Sequence, residues 1–214
     1  MDRIEIFQTI EETGIIGVIR ITDVDKLEKL IDALSEGGVK ALEITMTTPN
    51  AINIIDEISD KLDDEFLVGA GTVLDSETAA QAIHAGAEFV VGPTLDTEVI
   101  KTAHRYDKVV VPGAFSPTEI KTAWDAGADA VKIFPASNLG PGYLSNIHGP
   151  LPQIKLSPTG GVDTENAADY INNGAVFLGV GSALVEKEKL ANNDWEGIKN
   201  RAEEFIQIIK EARQ

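Results

Sequence analysis

The feature that most constrains the fold is an alternation. Eight short runs rich in β-branched residues recur along the 214-residue chain, each followed by a longer stretch with helical periodicity. The runs are IIGVIR (15–20), ALEITM (41–46), FLVGAGT (66–72), FVVGPT (89–94), VVVPGAF (109–115), AVKIFP (130–135), IKLSPTGG (154–161) and AVFLGVGS (175–182). Helix starts are marked at Asp75, at Ser116 before Pro117, and at Asp163 with Asn166. Strand and helix alternating without interruption imply a parallel sheet with right-handed crossovers. A weak internal repeat supports this: SEGGVKALEI, HAGAEFVVG, DAGADAVKI and NNGAVFLGV each end a helix at glycine and enter a strand within a few residues. The opposite, strand-to-helix loops carry the unusual residues.

Eight such units in this length predict a single (β/α)8 TIM barrel spanning residues 1–214 as one domain. An open nucleotide-binding sheet carries a glycine-rich fingerprint after its first strand, where this chain has VIRITD. Residues 2–13 read as an extra N-terminal helix closing the barrel bottom. From Asp194 onward, Ile198, Ala202, Phe205 and Ile209 at helical spacing predict the last outer helix.

Composition narrows the function. Thirty-five acidic residues face 18 basic ones, a formal net charge of −17, so nucleic acid and anionic membranes are excluded as partners. The excess falls on expected outer helices and their ends, as in DEISDKLDDE and EKEK, where it reads as solvated surface. There is no cysteine, hence no disulfide, thiolate metal site or cysteine nucleophile. No apolar run approaches the roughly 18 residues of a membrane span, and the charged start MDRIEIFQTIEETG is unlike a signal peptide. The expectation is a soluble cytoplasmic protein.

Three charged residues face the wrong way for a barrel interior. Side chains alternate along a strand, so in AVKIFP residues Ala130, Lys132 and Phe134 share one face and Val131 and Ile133 the other. The branched pair suits the layer beneath the helices, which turns Lys132 inward. The same reading turns Glu43 inward with Ala41 and Thr45, and groups Arg20 with Ile16 and Val18. Thr72 ends the third strand as Thr159 ends the seventh. All lie toward the C-terminal ends of their strands, where barrel enzymes assemble their sites. A lone buried Lys–Glu pair is equally an interior ion pair, and the threonines alone fit ordinary strand propensity; convergence on one mouth favours function. His84, His104 and His148 show no metal-ligand spacing and fall outside the strand ends, so no metal is expected.

A lysine in a dry mouth is a candidate nucleophile, because burial disfavours its charged form. The neutral amine attacks a ketone to form an imine, which makes a carbon–carbon bond two atoms away breakable. A carboxylate in the same mouth shuttles the protons. Glycines at Gly160, Gly161 and Gly181, with Ser182, follow the last two strands, where barrels frequently bind phosphate. The alternative is that they permit tight turns and nothing more.

LEIT (42–45), VGAGTV (68–73), PGAFSPTE (112–119), VKIFPA (131–136) and SPTGGV (157–162), in order along nearly the whole chain, resemble the 2-keto-3-deoxy-6-phosphogluconate (KDPG) aldolase family, also described as bifunctional with 4-hydroxy-2-oxoglutarate (KHG) aldolase. The resemblance implies a class I aldolase, a homotrimer needing no metal or other cofactor and acting on a small 2-keto acid. Lys132 is then its Schiff-base lysine and Glu43 its general acid and base. Thr72, Pro93 and Phe134 line the pyruvate end with Thr159 close by, and Gly160, Gly161, Gly181 and Ser182 match its phosphate-binding turns. One departure stands out: some members carry an arginine for the substrate carboxylate where this chain has Thr47, and Arg20 is the expected substitute. The rivals are the C4-epimeric phosphogalactonate acid or unphosphorylated KHG as substrate, a phosphosugar isomerase or decarboxylase using Lys132 as a plain charge, and a noncatalytic phosphosugar-binding barrel.

Overall fold

The computed structural model describes residues 1–62 and 66–214; the end of the acidic stretch DEISDKLDDE, residues 63–65, lies outside the described residues. Helix α1 (Arg3–Thr13) starts at a reciprocal cap between Asp2 and Glu5 and stops at Gly14 in the left-handed region. Strands and helices then alternate: β1 (Ile15–Ile19), α2 (Val24–Glu36), β2 (Ala41–Thr45), α3 (Ala51–Ser59), β3 (Leu67–Gly71), α4 (Ser76–His84), β4 (Phe89–Val91) and α5 (Thr97–Arg105). The second half runs β5 (Val109–Val111), β6 (Gly113–Ala114), α6 (Pro117–Asp125), β7 (Val131–Ile133), α7 (Gly142–His148), β8 (Leu156–Pro158), α8 (Ala167–Asn172), β9 (Leu178–Val180), α9 (Lys187–Ala191) and α10 (Trp195–Ala212).

All strand pairs are parallel. Six strands form a curled sheet in the order β5-β4-β3-β2-β1-β9, and β6-β7-β8 form a three-stranded sheet. Among the described residues, the expected eight strands are thus nine segments in two sheets. Both breaks have local causes. Pro112, which has no N–H to give a ladder, separates β5 from β6. Between β8 and β9, isolated bridges join Leu156 to Ala175 and Thr159 to Gly179. Three residue steps on one side face four on the other, so one residue is unmatched, as in a bulge.

The core has two layers. Outward residues such as Leu42, Ile44, Val90, Val110, Val131 and Ile133 pack under the helices, including the stripe Ile198, Ala202, Phe205 and Ile209 of α10. Inward residues Ile16, Ala41, Leu67, Phe89, Val91, Val109, Val111, Ala130 and Phe177 form a second cluster, which Ile6, Phe7 and Ile10 of α1 cover from one end. The repeated glycines close helices in one way. Gly38, Gly86, Gly127 and Gly174 have φ of 89–100°, and the next residue's N–H donates to the carbonyl five residues earlier. A side chain at that φ is strained, which accounts for the repeat.

The helix starts at Asp75 and Ser116 are caps, the latter with Glu119 reciprocating. At Asp163 the outcome differs. Its carboxylate accepts from the N–H groups of Glu165 and Asn166, closing a separate turn, and α8 begins only at Ala167. Among the described residues, no helix is long and apolar enough to cross a membrane.

Candidate active site

The strands' C-terminal ends surround a cavity of about 570 Å³. Its wall includes Lys132 and Phe134 around β7, Glu43 on β2, Arg20 after β1, and Thr72 and Pro93 after β3 and β4. Thr159, Gly160 and Gly161 after β8 and Gly181 and Ser182 after β9 complete the set singled out from sequence. All of them meet in one space. The wall also contains Val18, Thr47, Val162, Asp163, Gly179 and Ala183, which were not named as site residues; Val18 had been legible as Arg20's neighbour on one strand face.

Among the described residues, Lys132 and Glu43 are the buried charged side chains, 5% and 2% exposed. They lie on different sheets and, among the described residues, make no N–O contact within 4.0 Å with each other or any other ionic partner. The interior ion pair is therefore absent. Lys132 Nζ stands 5.0 Å from the ring centre of Phe134, an exposed residue of the cavity wall. Beneath the pair a void of about 10 Å³ is walled by Ile16, Val91, Val111 and Phe177 and by Ser157 and Thr159. That is about the space one water needs.

Glu43 reaches this position because Gly71 faces it. A Cβ on Gly71 would stand 2.6 Å from Glu43 Cδ and Oε1, where nothing but a hydrogen fits. Oε1 is buried with no hydrogen-bond partner. Burial pushes the Glu43 carboxyl above its ordinary range, and the charges of Lys132 and Arg20 pull the other way. A buried carboxyl poised closer to neutrality, with an unsatisfied oxygen beside an amine, is suited to move protons.

The remaining residues shape the cavity. Thr72 has φ 57°, the left-handed region that β-branched residues avoid, and such strain concentrates at functional sites. Gly160 and Gly161 have φ of 88° and 82°; the first packs on Phe134 and the second on Ser137. Their carbonyls are tied back, Gly160 O accepting from Ser137 N–H and Gly161 O from Asn166 Nδ2. Arg20 is exposed, and its Nε donates to Thr47 Oγ1 at 3.4 Å.

The histidines lie elsewhere. His84 stacks edge-on against Tyr106, His104 Nε2 is 3.7 Å from Asp129, and His148 Nε2 bonds the Ile154 carbonyl. Among the described residues no three His, Cys, Asp or Glu side chains cluster as metal ligands.

Comparison with known proteins gives consistent relatives. The family model for KDPG and KHG aldolase matches residues 6–201. A 2-dehydro-3-deoxy-phosphogluconate aldolase of Pseudomonas aeruginosa is 36% identical over 203 residues, covering 94% of this chain and 92% of that protein. A 2-dehydro-3-deoxy-6-phosphogalactonate aldolase of Escherichia coli is 35% identical over 201 residues, 94% and 96% of the two chains. Among solved structures, KDPG aldolase from Legionella pneumophila, with pyruvate captured as a covalent carbinolamine, superposes with a TM-score of 0.85 at 30% identity, covering 92% and 96%.

Proposed function

The chain belongs to the KDPG and KHG aldolase family, and from that premise we propose that Lys132 and Glu43 carry out Schiff-base cleavage of a phosphorylated 2-keto-3-deoxy sugar acid. It is an aldolase, a carbon–carbon lyase, which sets aside the noncatalytic binding reading. The observation that carries the mechanism is that, among the described residues, the one buried amine and the one buried carboxyl face a common cavity with no N–O contact within 4.0 Å between them.

The neutral Lys132 amine attacks C2 of KDPG, giving a carbinolamine that loses water to become an iminium ion. Glu43, starting protonated and acting through a water, gives its proton to the C2 oxygen, takes one from the attacking nitrogen and passes that to the departing hydroxyl, ending as the carboxylate. The C4 hydroxyl then gives its proton through that water to the Glu43 carboxylate, which holds it for the enamine, the C3–C4 bonding electrons move into the iminium, and glyceraldehyde 3-phosphate leaves. The resulting enamine is protonated at C3, and water hydrolyses the imine to release pyruvate and free Lys132. The carbinolamine of the Legionella relative supports the first step. Arg20 receives the substrate carboxylate, Thr72, Pro93, Phe134 and Thr159 hold the pyruvate portion, and Gly160, Gly161, Gly181 and Ser182 receive the phosphate.

The preferred substrate is KDPG, with KHG cleaved to pyruvate and glyoxylate as a second activity. The epimeric phosphogalactonate acid is the alternative, favoured by the similar distance of the two relatives named for the two acids. We take the two sheets to be one closed eight-stranded barrel and one domain, with β5 and β6 a single strand interrupted at Pro112 and the β8–β9 bridges completing the circle. A cytoplasmic homotrimer completes the reading; light scattering at the monomer mass would refute the trimer.

Borohydride trapping with pyruvate tests the chemistry. The expected result is an adduct confined to the peptide carrying Lys132 and lost in Lys132→Ala; pyruvate binding without an adduct would refute it. Comparison of kcat/KM across the three acids then identifies the substrate.

A further inference from the structure

Arg20 is the lone arginine in the cavity wall, and among the described residues it has no carboxylate within 4.0 Å. Hydroxyls steady it instead. Its Nε donates to Thr47 Oγ1 at 3.4 Å, Thr47 Oγ1 lies 2.8 Å from Thr45 Oγ1, and Thr45 Oγ1 lies 3.5 Å from Thr48 Oγ1. Thr45 and Thr48 are buried while Thr47 and Arg20 are exposed, so the run leads from the protein interior to the guanidinium. The order that lets each of the first two hydroxyls accept one bond and donate one runs Arg20 to Thr47 to Thr45 to Thr48. A cation at its head polarises every member in that direction.

We propose that Thr47 is a positioning residue for the aldolase: it fixes Arg20 through Nε and leaves the two terminal nitrogens to receive the carboxylate of the 2-keto acid. Four N–H donors remain on those nitrogens, in the planar fork that matches a carboxylate. An exposed arginine has many rotamers to give up on binding, and one already held at Nε gives up fewer. The anchor also sets the register, because Thr45 closes the strand that carries Glu43 two residues earlier on the same face. Carboxylate binding and proton transfer are thereby referred to one strand. The inference rests on the Schiff-base reading above.

The test is Thr47→Val, which keeps the branched shape and removes the hydroxyl. KM for the 2-keto acid is expected to rise roughly three- to tenfold, the loss of one hydrogen bond to a charged group weakened by its length. The expected change in kcat is less than about twofold. Thr47→Ser is expected to restore KM to within about twofold. In an Arg20→Ala background Thr47→Val is expected to do nothing further, because its effect passes through the arginine. An unchanged KM, failure of serine to rescue, or an undiminished effect without Arg20 would each overturn the proposal; if the valine variant is unstable, Thr47→Ala makes the same comparison. Borohydride trapping on the unaltered enzyme separates the two levels. No adduct at Lys132 sinks the Schiff-base reading and this inference with it, whereas an adduct with KM indifferent to Thr47 sinks this inference alone.

Discussion

Glycines 69 and 71 share one face of β3, and a single methyl group added at each is expected to damage different properties. Gly71 does not have the positive φ that would bar alanine, so the backbone tolerates Gly71→Ala. The new methyl would stand 2.6 Å from Glu43 Cδ and Oε1, whereas ordinary contact begins at 3.4 Å. The shortfall is 3.4 − 2.6 = 0.8 Å, and it can be relieved by pushing the carboxylate toward the open cavity. A displacement of about 1 Å at a reacting group costs on the order of a hundredfold in rate. We therefore expect kcat, followed by coupling pyruvate to lactate dehydrogenase, to fall roughly a hundredfold with Tm nearly unchanged. Gly69→Ala instead drives a methyl into the ring of Phe89, which is fully buried. Overpacking of that kind costs about 1–3 kcal/mol, or roughly 2–12 °C in Tm for a domain of this size, with kcat retained below the transition. Wild-type kcat in a folded Gly71→Ala enzyme would refute the placement of Glu43 at the reacting centre.

Glu43→Gln is expected to stabilise the fold while slowing turnover. Burial raises the native pKa of Glu43 above its ordinary 4.5, so the native state binds the proton more tightly than the unfolded chain does. Stability of the parent then falls as pH rises from that ordinary value through the raised one, and glutamine removes the loss. The difference in Tm between Glu43→Gln and parent should vanish below the ordinary value and grow as pH rises through the raised one; a pH-independent difference would contradict it. Asp163→Asn keeps an oxygen for the N–H groups of Glu165 and Asn166 and removes a negative charge from the wall that carries the glycine turns. Its expected effect is a rise of roughly three- to tenfold in kcat/KM for the phosphorylated acid, from relief of about 1 kcal/mol of repulsion, with KHG unchanged. Equal changes for both substrates would place the phosphate elsewhere.

Much of this was readable from the chain. The inward set of Lys132 and Glu43 follows from strand alternation, because one-residue parity decides which face a side chain takes and apolar neighbours report the parity. The four glycine caps follow from a φ requirement local to four residues. Most of what stayed hidden depends on residues distant in sequence. The unmatched residue opposite β8 needs the register of two strands, which neither strand carries alone. Asp163 and Asn166 both have the composition of helix caps, and which of them starts α8 is decided by the turn that Asp163 closes first. Thr47 looked like a missing arginine; its bond to Arg20 joins positions 27 apart. Nothing in the run FLVGAGT marks Gly71 as the residue that faces Glu43.

The division of the strands into two hydrogen-bonded sheets has a mechanical consequence. Lys132 belongs to one sheet and Glu43 to the other. Within a sheet, ladder bonds fix neighbours to a shared pitch; across the two seams the backbone bonds are sparser, Lys132 N–H to the Pro112 carbonyl at one and Val176 N–H to the Leu156 carbonyl at the other. The wedge of side chains beneath the amine and carboxyl, Ile16, Val91, Val111 and Phe177, shares with these few bonds in setting the gap between them. A methylene added to or removed from that wedge changes the spacing of the reacting pair without touching any group that meets the substrate, which makes the floor of the cavity a tuning element for the chemistry above it.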